Sequence, residues 1–192
     1  AVLKYRQGDY KTAASHLQHL ASFYGNSNWT VLEGVVLELQ ARCVKELGRN
    51  EEYVRTVVRL LSQYALHIQS KLSERQKSLL GSSAFRAGSS KVHPYLEDLL
   101  RASSSLQREF TVPISSFFGD VQVDPDIVHF EDRDGFQLRL SLRFLLESEI
   151  VVDSVKVRLV SAGGLVSNEV WLERTESVTV KSSTTRLTIG SS

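Results

Sequence analysis

The sequence predicts an α+β protein with two regions, an array of α-helical hairpins followed by an antiparallel β-sandwich. Two observations lead to this prediction. Apolar residues recur at helical spacing up to about Phe110. Beyond it they alternate with polar residues, and Val, Thr and Ile become frequent. We therefore expect helices over residues 1–107, with a flexible loop near residues 81–91, and the sandwich over residues 108–192.

The first helical hairpin is predicted from its turn. Gly8 permits a tight turn, Asp9 caps the helix that follows, and Ala13 lets two helices approach closely. The larger residues of this segment have the spacing of a tetratricopeptide turn and second helix, namely Tyr5, Tyr10, Leu17 and Leu20. Gly25 is predicted to end this helix.

A second helix is predicted to start near Thr30. Thr30 and Glu33 form a capping-box pattern, in which a hydroxyl and a carboxylate satisfy the free amides of a helix start. One face of this helix is predicted to contain Val31, Val35, Leu39, Val44 and Leu47. Gly48 then ends the helix.

A third helix is predicted to begin at Asn50 and to bury a stripe that runs from Tyr53 to Ile68. Gly8 and Gly48 are about forty residues apart, a spacing typical of helical repeats. Such units bury their apolar faces by stacking on one another. The sequence therefore predicts a solenoid of the tetratricopeptide-like kind.

Two shorter helices are predicted before the strands. Ser73 and Gln76 form a second capping-box pattern, which predicts a short helix that ends at Leu80. Residues 81–90 are small and polar, as is typical of a loop or linker. Pro94 suits the first position of the last helix.

The strand region is predicted from its alternation. Every second residue from Phe136 to Leu146 is apolar, the pattern of a half-buried antiparallel strand. Further predicted strands are Thr111–Ile114, Val121–Val123, Ile127–Phe130, Val155–Val160, Val170–Leu172, Val178–Val180 and Leu187–Ile189. This spacing predicts an immunoglobulin-like sandwich, a fold of about seven strands. Because the sequence ends just after Ile189, we expect the sandwich to be incomplete and the chain to be a piece of a longer protein.

The composition argues against several classes of function. Lys and Arg number 23 and Asp and Glu 22, so the net charge is only +1, and we expect neither nucleic acid nor an acidic membrane as the main partner. No apolar run approaches the roughly 18 residues that a transmembrane helix needs. The single cysteine, Cys43, excludes an internal disulfide and is expected in the core.

No catalytic, cofactor-binding or metal-binding residue is predicted. His16 and His19 lie three residues apart on one helix, but no nearby Cys or carboxylate supports a metal site, so surface histidines are expected. An acidic cluster consists of Asp120, Asp124, Asp126, Glu131, Asp132 and Asp134. Its spacing does not match a Ca²⁺-binding loop, and Asp is common in turns of this kind.

Two groups of polar residues are predicted to lie on the surface and to form no binding site. Lys71, Arg75 and Lys77 form a small basic patch, but Glu74 lies among them, which favours a solvated helix face. The serines at 82, 83, 89, 90 and 103–105 are candidates for phosphorylation. Their composition is also that of an ordinary linker or helix surface, which is the preferred interpretation.

Several segments resemble the large subunit numbered ten of the TRAPP vesicle-tethering complex, in its TRAPP II form. They are Leu39–Cys43, Leu47–Val54 and Leu60–Leu61 in the helical region, then Phe110–Phe118, Arg139–Arg143, Asp153–Leu159 and Val170–Glu173. The sibling subunits numbered nine and eleven stay open as alternatives. The resemblance implies a cytoplasmic scaffold at the trans-Golgi, bound to other TRAPP subunits and only indirectly to a Rab GTPase whose nucleotide exchange the small core subunits promote.

Two other functions compete with this scaffold. The chain could be an accessory region of a multidomain enzyme, although it shows no converging polar groups of its own. It could also be a ligand-binding sandwich for carbohydrate or peptide, for which Trp171 is the obvious aromatic candidate. We favour the scaffold, with self-association through an uncovered sandwich edge as a further expectation.

Overall fold

The computed structural model describes residues 1–77, 89–129, 131, 134–160 and 169–190. These residues form two compact units, Ala1–Ser116 and Phe117–Ser192. The first unit contains helices and the second contains antiparallel strands, so the predicted fold class, helices followed by antiparallel sheet, is confirmed. Most of the predicted loop near residues 81–91 lies outside the described residues.

The described helices of the first unit pack in chain order. They are α1 (Val2–Arg6), α2 (Tyr10–Asn26), α3 (Thr30–Glu46), α4 (Asn50–Lys77) and α5 (Ser89–Ser103), and a short 3-10 helix follows over Ile114–Ser116. Each α-helix packs against the next one along the chain. Because only three residues join α2 to α3 and α3 to α4, these neighbours form antiparallel hairpins.

Two turns of the helical unit repeat the same local chemistry. Gly8 and Gly48 both adopt positive φ angles, +78° and +67°, which a residue without a Cβ adopts at little cost. After Gly8, the side chain of Asp9 accepts a hydrogen bond of 3.2 Å from the backbone amide of Thr12. The predicted turn and the predicted N-cap of α2 are therefore confirmed.

Two predicted helix starts are wrong. The chain does not restart at Ser73, because α4 continues through this residue to Lys77 as one helix of 28 residues. Residues 50–72 contain no Gly or Pro that would interrupt the helix. Pro94 is likewise not the first residue of α5 but lies inside it. Because proline has no backbone N–H, α5 lacks one backbone hydrogen bond at Pro94.

The apolar face predicted for α3 is confirmed at Val44, which is buried, and is wrong at its first turns. Val31 and Val35 are 78% and 63% exposed. The buried residues of this helix are instead Glu33, Leu37, Ala41, Cys43 and Val44. The first buried residue of α3 is therefore Glu33. The spacing of apolar residues cannot reveal a buried carboxylate. Cys43 is fully buried, as predicted.

The second unit contains eight described strands in three sheets. They are β1 (Phe118–Val123), β2 (Val128–His129), β3 (Phe136–Phe144), β4 (Ile150–Val152), β5 (Val155–Val160), β6 (Glu169–Arg174), β7 (Val178–Val180) and β8 (Thr185–Gly190). In the largest sheet, β3 pairs with β1 and β2 along one edge and with β8 along the other. The pairs β4–β7 and β5–β6 form the two smaller sheets, and all pairing is antiparallel.

The core of the strand unit follows the predicted alternation of β3. Its buried residues are Leu138, Leu140, Leu142 and Phe144, and Leu140 lies opposite Leu187 of β8. Leu172 of β6 and Val180 of β7 are also buried, so all three sheets contribute. One predicted strand, Thr111–Ile114, is wrong, because this segment is irregular and ends in the 3-10 helix. Strand β4 was not predicted.

Candidate interaction surfaces and interior polar clusters

An ion pair with a buried carboxylate joins three helices of the first unit. Glu33 of α3 is only 4% exposed and pairs with the guanidinium of Arg59 on α4. The same guanidinium donates a hydrogen bond of 3.2 Å to the backbone carbonyl of Ala21 in α2. A buried carboxylate needs such a partner, because burying an unpaired charge is costly. Glu33 is therefore an interior residue and not the predicted partner of Thr30 in a capping box.

Gly25 makes room for this ion pair. It was predicted to end α2, but the helix continues to Asn26, and Asn28 adopts the positive φ angle of 57° after it. A Cβ at Gly25 would lie 2.5 Å from Nη2 of Arg59 and 2.9 Å from Oε1 of Glu33. The residue is therefore a point of close approach between helices. The arrangement of Gly25, Glu33 and Arg59 is called the interior clamp below.

A second polar cluster joins α3, α4 and α5. The carboxylate of Asp98 accepts hydrogen bonds from the ammonium group of Lys45 and, at 3.3 Å, from the hydroxyl of Tyr53. The hydrogen bond from Lys45 is the main reason why the pKa of Asp98 is lowered. Burial, and then the charge of Asp98, raises the pKa of Tyr53. The cluster consequently fixes charged Asp98 against neutral Tyr53.

A similar arrangement links α3 and α4. The hydroxyl of Tyr64 donates a hydrogen bond of 2.7 Å to the carboxylate of Glu38. Burial, and then this hydrogen bond, raises the pKa of Tyr64. These polar contacts join neighbouring helices, and because the pKa values of Tyr53 and Tyr64 are raised, both hydroxyls stay protonated.

An exposed apolar surface covers the turn between α2 and α3. It consists of Phe23, Tyr24, Trp29, Val31, Leu32 and Val35. The ring of Tyr24 contacts Phe23 edge-on at 5.6 Å and stacks on Trp29 at 6.0 Å. Trp29 itself is 57% exposed. Exposed apolar patches of this kind often mark sites of protein–protein contact. We call these six residues the turn surface.

The residues considered for chemistry are not brought together. His16 and His19 are both exposed on α2, as expected. Burial raises the pKa of the Cys43 thiol, which disfavours the reactive thiolate. Among the described residues, no group of three or more His, Cys, Asp or Glu side chains could hold a metal ion.

The acidic cluster of the sequence separates into local contacts. Asp120 pairs with Arg143 at 2.9 Å, and Asp124 accepts a hydrogen bond of 3.1 Å from the backbone amide of Asp126. Glu131 and Asp134 are exposed, and Asp132 lies outside the described residues. These contacts are those of a bulged strand and a turn, and they do not converge on one point.

The remaining polar segments are described only in part. Side chains 71–77, and with them Lys71, Arg75 and Lys77, lie outside the described set, as do Ser82 and Ser83 and the side chains of Ser89 and Ser90. The hydroxyls of residues 103–105 each donate a hydrogen bond to a carbonyl three residues earlier. That is the ordinary behaviour of serine at a helix end.

Sequence reasoning missed the residues that organise the helical unit. Glu33, Arg59 and Gly25 come from three helices, and Asp98 lies 53 residues from Lys45. The available signal is that Glu33 lies four residues before Leu37, on the same face of the helix, although its distance from Thr30 also fits a capping box.

The comparisons with known proteins concern the helical unit. Residues 1–80 match the family model described as TRAPPC10/Trs130, NTS-like domain. No curated protein and no solved structure matches the chain. None of the described helices is long and apolar enough to cross a membrane.

Proposed function

We propose that this chain, whose residues 1–80 match the TRAPPC10/Trs130, NTS-like domain, is a non-catalytic scaffold and interaction module of a TRAPP II-type complex. The family match supports the assignment to a TRAPP complex. The scaffold role is supported by the polar side chains of the helical unit, which pair across helices and so hold neighbouring helices together. In this proposal the chain acts in the cytoplasm at the trans-Golgi, and it contacts a Rab GTPase only through other subunits.

The turn surface is the observation that carries this proposal. It lies within the matched residues 1–80, and its side chains are apolar although most of them are exposed. A free apolar surface is unfavourable in water, and covering it with a partner stabilises the complex. Trp29 and Tyr24 are of the residue types that contribute most to such interfaces. We propose that another subunit of the complex covers the turn surface.

Affinity purification tests the surface and the function together. The tagged chain is expressed in cells, and the TRAPP subunits that co-purify with it are quantified by mass spectrometry. We expect the unaltered chain to enrich them and the double variant Val31→Asp/Val35→Asp to lose most of this enrichment. Leu66→Asp is the matched control, because Leu66 is also 57% exposed but lies on α4 outside the turn surface.

The outcomes distinguish the two parts of the proposal. If both variants enrich the subunits equally, the turn surface is not the interface. If the unaltered chain enriches no TRAPP subunit, the function itself is wrong. The purified chain is also expected not to accelerate nucleotide exchange on a Rab GTPase, and measurable exchange by the chain alone would contradict the non-catalytic role.

We also propose that the strand unit associates with a second copy through the β5–β6 pair. Val155, Val157 and Leu159 are only half-buried, and Val170, opposite Leu159, is 45% exposed. Val170→Lys should abolish concentration-dependent association in light scattering. Val160→Lys, on the other face of the same pair, should leave it unchanged. A chain that stays monomeric at every concentration would contradict this proposal.

A further inference from the structure

A polar groove of about 480 Å³ lies in the helical unit between α2 and α4. Its floor is formed by α3, whose lining residues Leu37 and Val44 are almost fully buried. Its walls are formed by exposed residues of α2, such as Lys11 and Gln18, and of α4, such as Arg55. The groove is separate from the turn surface, with which it shares no residue.

The walls of the groove are rich in cationic side chains. Lys11, Arg49, Arg55 and Arg59 line it. Three of these cations have a carboxylate partner, Glu52, Glu51 and Glu33 respectively for Arg49, Arg55 and Arg59, so one cation, Lys11, is in excess. A cation in a concave site attracts an anion more strongly than one on an open surface, because the low-dielectric floor concentrates its field.

Most of these cations can exchange their present partners for a ligand. Arg49 pairs with Glu52 at 3.2 Å and Arg55 with Glu51 at 2.8 Å, both on the exposed surface. Exposed ion pairs of this kind contribute little stability, so a ligand carboxylate replaces them at little cost. Within the described residues Lys11 forms no ion pair. Only Arg59, which the interior clamp holds, is committed to a buried partner.

The uncharged part of the walls suits a peptide backbone. Ser15, Gln18 and Ser22 of α2 and Gln40 of α3 line the groove with hydroxyl and amide groups. Such groups both donate and accept hydrogen bonds, as the alternating amides and carbonyls of an extended chain require. A phosphate group also accepts hydrogen bonds from hydroxyls and amides, so the vesicle measurement below distinguishes a peptide from a lipid headgroup.

The length of the groove sets the length of the ligand. Lys11 and Ser22 are eleven residues apart on one helix, which corresponds to about 16 Å along its axis. An extended peptide covers about 3.3 Å per residue, so about five residues fill this distance. We propose that this groove binds an extended acidic peptide segment of about five residues from a partner protein, with Lys11 and Arg55 on opposite walls pairing with its carboxylates.

Fluorescence anisotropy with the full chain tests the proposal. The probe is a fluorescein-labelled penta-glutamate peptide with blocked ends, and penta-glutamine with the same label is the uncharged control. We expect saturable binding of the glutamate peptide only. Raising the salt concentration from about 0.05 M to about 0.3 M should weaken it, because the Debye length shortens.

Charge-reversal variants locate the binding. Lys11→Glu and Arg55→Glu should each weaken binding about tenfold, since an attraction becomes a repulsion at the wall. Arg6→Glu changes the net charge by the same amount, but Arg6 lies on α1 and does not line the groove. It should leave the affinity within about twofold. Circular dichroism spectra and melting temperatures verify that all three exposed substitutions leave the fold intact.

Three results would overturn the proposal. The first is the absence of saturable binding by the unaltered chain. The second is an equal loss of affinity in Lys11→Glu and Arg6→Glu, which would mean that only net charge matters. The third uses vesicles of phosphatidylcholine and phosphatidylserine: if they bind in a Lys11-dependent way and penta-glutamate does not, the groove is a lipid site.

Discussion

The two units of this chain differ in what they bury. In the part of the chain that the structure describes, the buried polar side chains, Glu33 and Thr56, both belong to the helical unit. The buried side chains of the strand unit are apolar throughout the described residues. Both interiors are mainly apolar, but the helical unit adds a buried carboxylate, Glu33, that a cation of another helix neutralises. The spacing of apolar residues predicts the apolar part of each interior and misses such a carboxylate.

The largest expected effect is the loss of the strand unit on Leu140→Asp. Leu140 is buried opposite Leu187, and removing such a side chain costs about 2–5 kcal/mol. Burying an unpaired carboxylate adds to this cost, and the total becomes comparable with the roughly 5–15 kcal/mol stability of a whole domain. We expect the strand unit to unfold. The fluorescence of Trp171, measured in a Trp29→Phe background, reports this event, because the two tryptophans lie in different units.

Arg139→Asp is the matched control for this prediction. Arg139 is the neighbouring residue on the opposite, exposed face of β3. Its substitution should change the stability of the strand unit by no more than about 1 kcal/mol. Equal melting temperatures for the two variants would mean that the face assigned to the core is wrong.

The strand unit was the easier half to predict for a physical reason. Side chains of a strand alternate between two faces, so from Phe136 onward the apolar residues alone identify the buried face. The pairing partner of β3 could not be predicted in the same way. Its contacts with β1 and β8 depend on chain segments far away in sequence. The short strand β4 has too few residues to show a period.

In the helical unit, the first turn was predicted correctly, but the buried face of α3 was not. Gly8 and Asp9 determine the first turn by local chemistry, which needs no knowledge of the rest of the fold. Glu33 is buried only because Arg59, 26 residues later, neutralises it. An isolated α3 has no reason to bury Glu33 and expose Val35. For the same reason the groove, whose walls come from separate helices, could not be predicted from any single segment.

The next largest effect is expected from the interior clamp. Glu33→Ala leaves the guanidinium of Arg59 without its carboxylate, and we expect the helical unit to lose about 2 kcal/mol. This is less than for a fully buried pair, because Arg59 is partly exposed. Glu46→Ala, at an exposed position of the same helix, should cost little. Chemical denaturation followed by Trp29 fluorescence in a Trp171→Phe background measures both variants. Equal effects would mean that the buried ion pair contributes nothing.

Gly25→Ala tests the interior clamp in a second way, because its effect on stability should depend on whether Glu33 is present. In a helix, Ala is favoured over Gly by about 1 kcal/mol. At Gly25, however, the added Cβ would crowd Arg59 and Glu33. We expect Gly25→Ala to destabilise the intact protein, and to destabilise it less when Glu33→Ala is already present, because one of the two crowding groups is then gone and Arg59 is freer to move. Additive effects in this double-mutant cycle would contradict the close approach.

A smaller, pH-dependent effect is expected from Asp98. The hydrogen bond from Lys45 lowers its pKa in the folded state below the unfolded value of about 3.9. The contribution of charged Asp98 to stability is therefore complete above about pH 4 and is lost as the pH falls through the folded pKa. Asp98→Asn should destabilise the helical unit at neutral pH, and this difference should shrink in acid. A difference that stays constant with pH would contradict the role of the charge.

The smallest effect is expected on the exposed face of the strand unit, where charges pair as they do inside the helical unit. Lys156 of β5 and Glu173 of β6 lie directly opposite each other, with Nζ and Oε1 3.0 Å apart. Both side chains are largely exposed, so the pair contributes only about 0.5 kcal/mol. Lys156→Glu should lower the stability by about this amount, and Lys156→Glu/Glu173→Lys should restore it.

Urea denaturation followed by Trp171 fluorescence measures this difference, and added salt should reduce it because the pair is open to solvent. The comparison with Glu33→Ala is the informative result. If the same loss of one partner costs several times more inside the helical unit, burial determines what an ion pair contributes. If Lys156→Glu costs as much as Glu33→Ala, then the two units do not differ in the way that their interiors indicate. The charge pairs of the helical unit would then be no more important to it than those on the strand surface.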